Sequence, residues 1–312
     1  MEDVYFDLLP EGCIATIISL TTPRDACRLC LVSRILRSAA ESDAVWELFL
    51  PPDYSSIISS SPASLSYASK KDLYFSLCDQ PLLIDQGRKS FTLEKESGKK
   101  YYMLSARDLA IIWVDIPMYW RWIPYPGARF ENVAELINVC WLEIHGRINT
   151  SMLSQSTLYA AYIVFKATMN AYGFEHLPVE AAVGVIGGET RNRIVFLDSD
   201  RGRRPRYQIE PRQPGRRYRR HNVLHDQSER EEDADNVLHD LAEREEDADY
   251  YPKERADGWL EVELGEFYCN AGEEGELEMS MKEISRVNWK SGLIVQGIEI
   301  RPKKINNGKS SL

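Results

Sequence analysis

Cys27-x-x-Cys30 has the spacing with which paired thiols hold zinc or exchange a disulfide. The pair sits inside a predicted helix with no second pair in reach, so it is read as two small apolar residues. His221 and His225, four apart, would share one face of a helix and could both turn to a metal. They lie in an acidic tract without cysteine partners, which favours solvated imidazoles. Gly184 with Gly187-Gly188 is read as a strand turn, because no helix and no Lys-Ser/Thr pair follows to cradle a phosphate. Ser-His-Asp and paired-carboxylate arrangements do not stand out, and the chain has five histidines. The expectation is a protein with no catalytic residue, no metal and no cofactor. Binding, not bond chemistry, is then its task.

The bulk numbers point the same way. The chain has 312 residues, 44% of them apolar, with 48 acids against 38 bases and a net charge of −10. An acid excess argues against nucleic acid as a partner, since such affinity rests on neutralising phosphates. No run approaches 18 apolar residues, so no membrane-spanning helix is expected. The opening MEDVYFDLLPEG lacks a basic n-region followed by an apolar stretch. Six thinly spread cysteines suit reduced thiols, and the expected location is cytoplasm and nucleus.

The elements that must position any site change along the chain. Residues 1–50 read as helices. Ile14, Ile17 and Ile18 recur at helical spacing, and Thr22-Pro23-Arg24-Asp25 is a helix start. Residues 51–84 are read as a linker rich in serine, eight in the stretch 51–70, followed by a short helix from Ser69 to Leu77. From about residue 85 to 304 strands dominate. Leu260, Val262 and Leu264 alternate with acids, as do Leu277, Met279 and Met281. Further strands are predicted at 139–148, 158–166, 179–186, 193–197 and 293–301. The fold class is α+β, a helical front and an antiparallel, jelly-roll-like β-sandwich behind it. A charged insert at 200–252 interrupts the strands. Residues 201–220 hold nine arginines and one acid, and 221–249 hold twelve acids and two arginines. The acidic half is a tandem duplication: Asn222–Asp235 and Asn236–Asp249 agree at twelve of fourteen positions. A disordered excursion is expected there, its arginines neutralised by the neighbouring acids. Residues 305–312 are a tail.

The helical front resembles an F-box. The ordered set is Leu9-Pro10, Ile14, Ile17-Ile18, Leu20, Pro23-Arg24-Asp25-Ala26, Leu29, Val32-Ser33-Arg34, Leu36-Arg37, Ala39, and Asp43 to Trp46. The resemblance implies a small helical hook that lays apolar residues into a groove of a Skp-type adaptor, and through it reaches a cullin. It assigns adaptor contact to Leu9, Pro10, Ile14, Ile18, Leu20, Pro23, Leu29, Val32 and Leu36. The competing reading packs the same residues onto the second domain.

The rear of the chain resembles the plant phloem-protein-2 lectins, also called Nictaba-related lectins. The blocks are Ser105-Ala106-Arg107-Asp108-Leu109, Tyr119-Trp120-Arg121-Trp122, Trp141-Leu142-Glu143-Ile144-His145-Gly146, Tyr159 to Lys166, Asp257 to Phe267, Gly275 to Met279, Trp289 to Leu293, and Ile300-Arg301-Pro302. Both halves together are similar to the plant F-box proteins of the phloem-protein-2 type B class. The resemblance implies a ubiquitin-ligase substrate receptor whose lectin-like sandwich takes N-acetylglucosamine oligomers or N-glycans. The alternative is a free nucleocytoplasmic lectin with a vestigial F-box. The family's sugar site carries over onto Trp113 and Trp120, and onto Glu266 and Glu273. The chemistry suits that role: an indole stacks on the C–H face of a sugar and carboxylates accept from its hydroxyls. Trp113 and Trp120 flank Pro117 and would border one cleft. Trp141, Trp259 and Trp289 are expected in the core.

Overall fold

The structure is a computed structural model and describes residues 9–175, 177–198, 250–283 and 288–303. Four short helices open it: α1 (Glu11–Ser19), α2 (Pro23–Leu29), α3 (Arg34–Glu41) and α4 (Asp43–Phe49). Local chemistry sets their starts. The Asp25 N–H donates to the Thr22 hydroxyl ahead of Pro23, the Leu36 N–H to Ser33 and the Ala44 N–H to Ser42. Helices of seven to nine residues do not persist alone. They persist here by burying Ile14, Ile18, Ala26, Ala39, Ala40, Val45 and Trp46 together. The Trp46 indole N–H donates to the Ala40 carbonyl at 2.7 Å, which pins α4 to α3.

The serine-rich stretch is more ordered than a linker. It carries α5 (Tyr54–Ser59), whose Ile57 is buried, and α6 (Lys70–Asp79), capped by Ser69. Helix α6 buries Leu73, Tyr74 and Leu77 and forms the seam between the helices and the first sheet. On one side Trp46 meets the rings of Tyr74 and Phe75 at 5.2 and 5.3 Å. On the other, the Tyr74 hydroxyl donates to the carbonyls of Glu94 and Lys95. Gly98, at φ +69°, lets that loop approach closely: a methyl group there would lie 2.8 Å from the Phe49 carbonyl oxygen. Asp53–Lys100 at 3.0 Å and Arg24–Glu96 at 3.6 Å add ion pairs across the same seam. Helices and sandwich share one core.

Among the described residues fourteen strands follow, all paired antiparallel. They are β1 (Leu82–Ile84), β2 (Lys89–Leu93), β3 (Lys100–Ser105), β4 (Ala110–Ile111), β5 (Trp120–Ile123), β6 (Val133–Leu136), β7 (Leu142–Asn149), β8 (Thr157–Tyr172), β9 (Pro178–Val185), β10 (Thr190–Phe196), β11 (Lys253–Glu254), β12 (Leu260–Cys269), β13 (Glu276–Glu283) and β14 (Ser291–Pro302). One sheet runs β1-β2-β3-β14-β8-β12-β11, with β6 beside β14 and β5 beside β6. The other runs β10-β9-β13-β7-β4. Their inner faces interdigitate: Gly146 of β7 lies under Leu104 and Ile298, and Gly265 of β12 lies under Val183. Period-two burial is clean in β7, where Leu142, Ile144, Gly146 and Ile148 point inward.

Strand β10 is an edge of one sheet and β11 an edge of the other. The Phe196 and Tyr251 rings stack at 4.8 Å and 12°, so the chain leaves and re-enters the sandwich at neighbouring points. Residues 200–249 of the expected charged excursion, with its arginine block, His221 and His225, lie outside the described residues, as does the tail.

Candidate functional site

Two surfaces stand out. On the helical module several large aliphatic side chains are exposed. Leu20 is 82% exposed, Leu31 80% and Val32 69%, with Leu9, Ile17 and Ile35 also open. Leu9 lies just before α1, Ile17 and Leu20 at its end, Leu31 and Val32 on the turn between α2 and α3, and Ile35 at the start of α3. Of the nine residues expected to meet an adaptor, Leu9, Pro10, Leu20 and Val32 are exposed. Leu29 and Leu36 are half-buried against the core. Ile14, Ile18 and Pro23 are corrected: they are buried, the two isoleucines at 1% exposure, and fill the module's interior. Ile17, Leu31 and Ile35 take their place on the surface. Ile17 and Ile18 differ by about 100° around the helix, and spacing alone does not say which of them turns inward.

The second surface is on the sandwich. Trp141, just ahead of β7, and Glu143 and His145 within it lie on the side opposite the buried Leu142 and Ile144. The Trp141 indole N–H donates to Glu143 Oε2 at 2.9 Å. Glu143 Oε1 lies 2.8 Å from His145 Nε2 and 3.1 Å from the Lys282 ammonium on the neighbouring β13. The hydrogen bond from His145, helped by those from Trp141 and Lys282, holds the Glu143 carboxyl down at about 2 against the opposing pull of burial. Edge strand β4 adds a second indole. The Ile112 N–H donates to the Glu143 carbonyl at 3.1 Å, and Trp113 follows at once. Trp113 has φ +62°, a left-handed conformation that a bulky residue adopts at a cost, and its ring rests on Tyr119 at 5.3 Å.

The four residues expected to form a sugar site do not converge. Trp113 is 39% exposed, as a stacking residue needs. Trp120 is 2% exposed and belongs to the core, its indole N–H spent on the Ile112 carbonyl. Glu266, in β12, is ion-paired with Lys303. Glu273 is exposed on the loop after β12 and accepts from the Asn270 amide at 2.7 Å. That loop meets the chain just past the end of β7 at Thr150, whose N–H donates to the Gly275 carbonyl. Trp113 meets β7 at Glu143, seven residues earlier, about 23 Å along the strand. The tryptophans expected in the core divide too. Trp259 is buried, whereas Trp141 is 41% exposed and Trp289 is exposed as well. The missed signal was alternation: Trp141, Glu143 and His145 stand at i, i+2 and i+4, interleaved with Leu142, Ile144 and Gly146.

Among the described residues, no group of three or more His, Cys, Asp or Glu is placed to hold a metal, and no helix is long and apolar enough to cross a membrane.

An aliphatic-faced helical hook fused to an antiparallel sandwich is an F-box joined to a phloem protein 2 domain. The F-box domain model matches residues 6–48, and the phloem protein 2 model matches residues 99–302. The chain belongs to the phloem protein 2 family, in its plant F-box branch of type B. It is 48% identical to the Arabidopsis thaliana F-box protein PP2-B1 over 313 residues, covering 96% of this chain and 91% of that one. It is 48% identical to the F-box protein PP2-B10 of the same plant, covering 97% and 96%. The Arabidopsis F-box protein SKIP3 is 40% identical, covering 96% and 89%.

Proposed function

We propose that this chain is the substrate-receptor subunit of a Skp–cullin–F-box ubiquitin ligase, working in the cytoplasm and nucleus. The F-box docks on a Skp-type adaptor and the sandwich holds the target, through N-acetylglucosamine oligomers or N-glycans that the target carries. The chain performs no bond chemistry. Its contribution is proximity, which raises the target's local concentration beside the ubiquitin carrier. The observation that carries the reading is the set of exposed aliphatic side chains, Leu20, Leu31 and Val32, on a module whose own core is already closed. Such side chains gain by entering a partner's groove and have no role in the fold that burial would explain. The test is capture of a recombinant Skp-type adaptor by the full chain. Capture that disappears in the Leu20→Asp, Leu31→Asp double variant supports the reading. Capture at wild-type level in that variant, or none by the wild type, refutes it.

A further inference from the structure

Trp141 is an indole held in one orientation with much of its surface open. The bond from its N–H to Glu143 fixes the ring, and Glu143 is itself fixed by His145 and Lys282. Orientation settled before binding removes an entropic cost from whatever stacks there. The carboxylate is ionised, so its two oxygens offer about four acceptor positions. His145 and Lys282 engage Oε1, and Trp141 takes one position on Oε2, which leaves one on Oε2 beside the indole. The Lys282 ammonium has three protons and gives one to Glu143, so donors remain as well. An acceptor and a donor beside a fixed aromatic ring match the hydroxyl rim and C–H face of a pyranose.

The surroundings narrow the class. Pairing places Ala110 and Ser280 on either side of His145, with Ala182 beyond Ser280. This row of small side chains crosses the sheet two residues beyond Glu143 and about 13 Å along the strand from Trp141, a span that fits sugar rings beyond the first. The outward charges on these strands are Glu143, Glu180, Glu276 and Glu278 against Arg147 and Lys282. That acid excess repels uronate, sulfate and phosphate groups. Trp113, entering beside Glu143, sets a second indole at the same end of the sheet.

We propose that Trp141, Glu143 and Lys282, with Trp113 at the border, form the sugar-contacting site of this sandwich, and that it takes a pyranose of an uncharged glycan. The inference rests on the carbohydrate reading above and moves the site away from Trp120, Glu266 and Glu273. The test is isothermal titration of the full chain with chitotetraose and with the Man3GlcNAc2 pentasaccharide, and with tetragalacturonate as the acidic probe. The wild type binds a neutral probe and not tetragalacturonate. Trp141→Ala weakens the neutral probe about tenfold or more, and Lys282→Ala weakens it by a smaller factor. Trp141→Phe, which keeps a ring but loses the N–H, falls between and serves if the alanine variant does not fold. A folded Trp141→Ala protein with wild-type affinity overturns the site and leaves the carbohydrate reading standing. Equal binding of tetragalacturonate overturns the uncharged class. A wild type that binds neither neutral probe overturns both.

Discussion

The two surfaces of this chain are built on opposite principles. The helical module exposes Leu20, Leu31 and Val32, side chains with no polar atom and no bond that fixes them. The sandwich exposes Trp141, whose every polar atom is committed to a chain of partners. An aliphatic face works by the area it removes from water, tolerates small shifts in a partner's groove, and reads shape loosely. A locked ring with a defined acceptor beside it reads geometry and loses its use if it tilts. The difference teaches where rigidity has to be supplied. The module gets it from its core and from the α6 seam, whereas the sandwich corner gets it residue by residue.

The largest expected effect tests whether the two regions are one body. Trp46→Ala removes a fully buried ring that touches Phe49, Tyr74 and Phe75. A loss of about 3–5 kcal/mol is expected. Denaturant unfolding followed by fluorescence and by far-ultraviolet dichroism should move as one transition. Two separated transitions, with the later one at its wild-type midpoint, would show that the seam does not couple the regions. Next in size is a contrast inside the module. Ile18→Ala should cost about 2–4 kcal/mol, since Ile18 is core, while Leu20→Ala should stay within about 0.5 kcal/mol. Adaptor affinity should rank the other way at a temperature where both variants are folded. The same ranking in both measurements would erase the distinction between core and contact residues.

The sandwich corner gives the acid-side prediction. Glu143 has its folded pKa depressed to about 2. A depressed carboxyl contributes stability that is present above its unfolded value, about 4.3, and is lost as pH falls toward 2. Glu143→Gln should therefore unfold with a shallower pH dependence between those limits than the wild type, measured by urea midpoints at each pH. Equal slopes would mean that the carboxylate is not held by His145, Trp141 and Lys282. The smallest effect belongs to Trp141→Ala. A ring so open to solvent should leave the thermal midpoint within a degree or two of wild type, and a large drop would return Trp141 to the structural residues.

The sequence was most legible where a periodicity ran long enough to be counted. Strands β12 and β13 were expected from alternation, and β7 to β10 and β14 from runs of branched and aromatic residues, although β8 extends six residues beyond the expected end. Strands β1 to β6 span two to six residues, too short for a period to show against mixed composition. The helix starts at Pro23, Arg34 and Lys70 follow capping residues that can be named in advance. The site was less legible. Trp113 and Trp120 lie close in sequence, but the turn through Pro117 sends one ring outward and the other into the core. Glu273 and Trp113 are both exposed, and only strand register reveals that β7 separates them. Aromatic content says that a ring will be buried on average, and Trp141 and Trp289 are the exceptions that content cannot flag.

The stacked pair Phe196 and Tyr251 has a consequence for how this chain can grow. With exit and return held together, a flexible stretch spliced between them would change the closure entropy only with the logarithm of its length, about 0.6 kcal/mol for each doubling. The sequence records a whole fourteen-residue copy added between these two points. The position is a natural splice point, where a reporter or a further copy should be accepted with the rest of the chain unaltered.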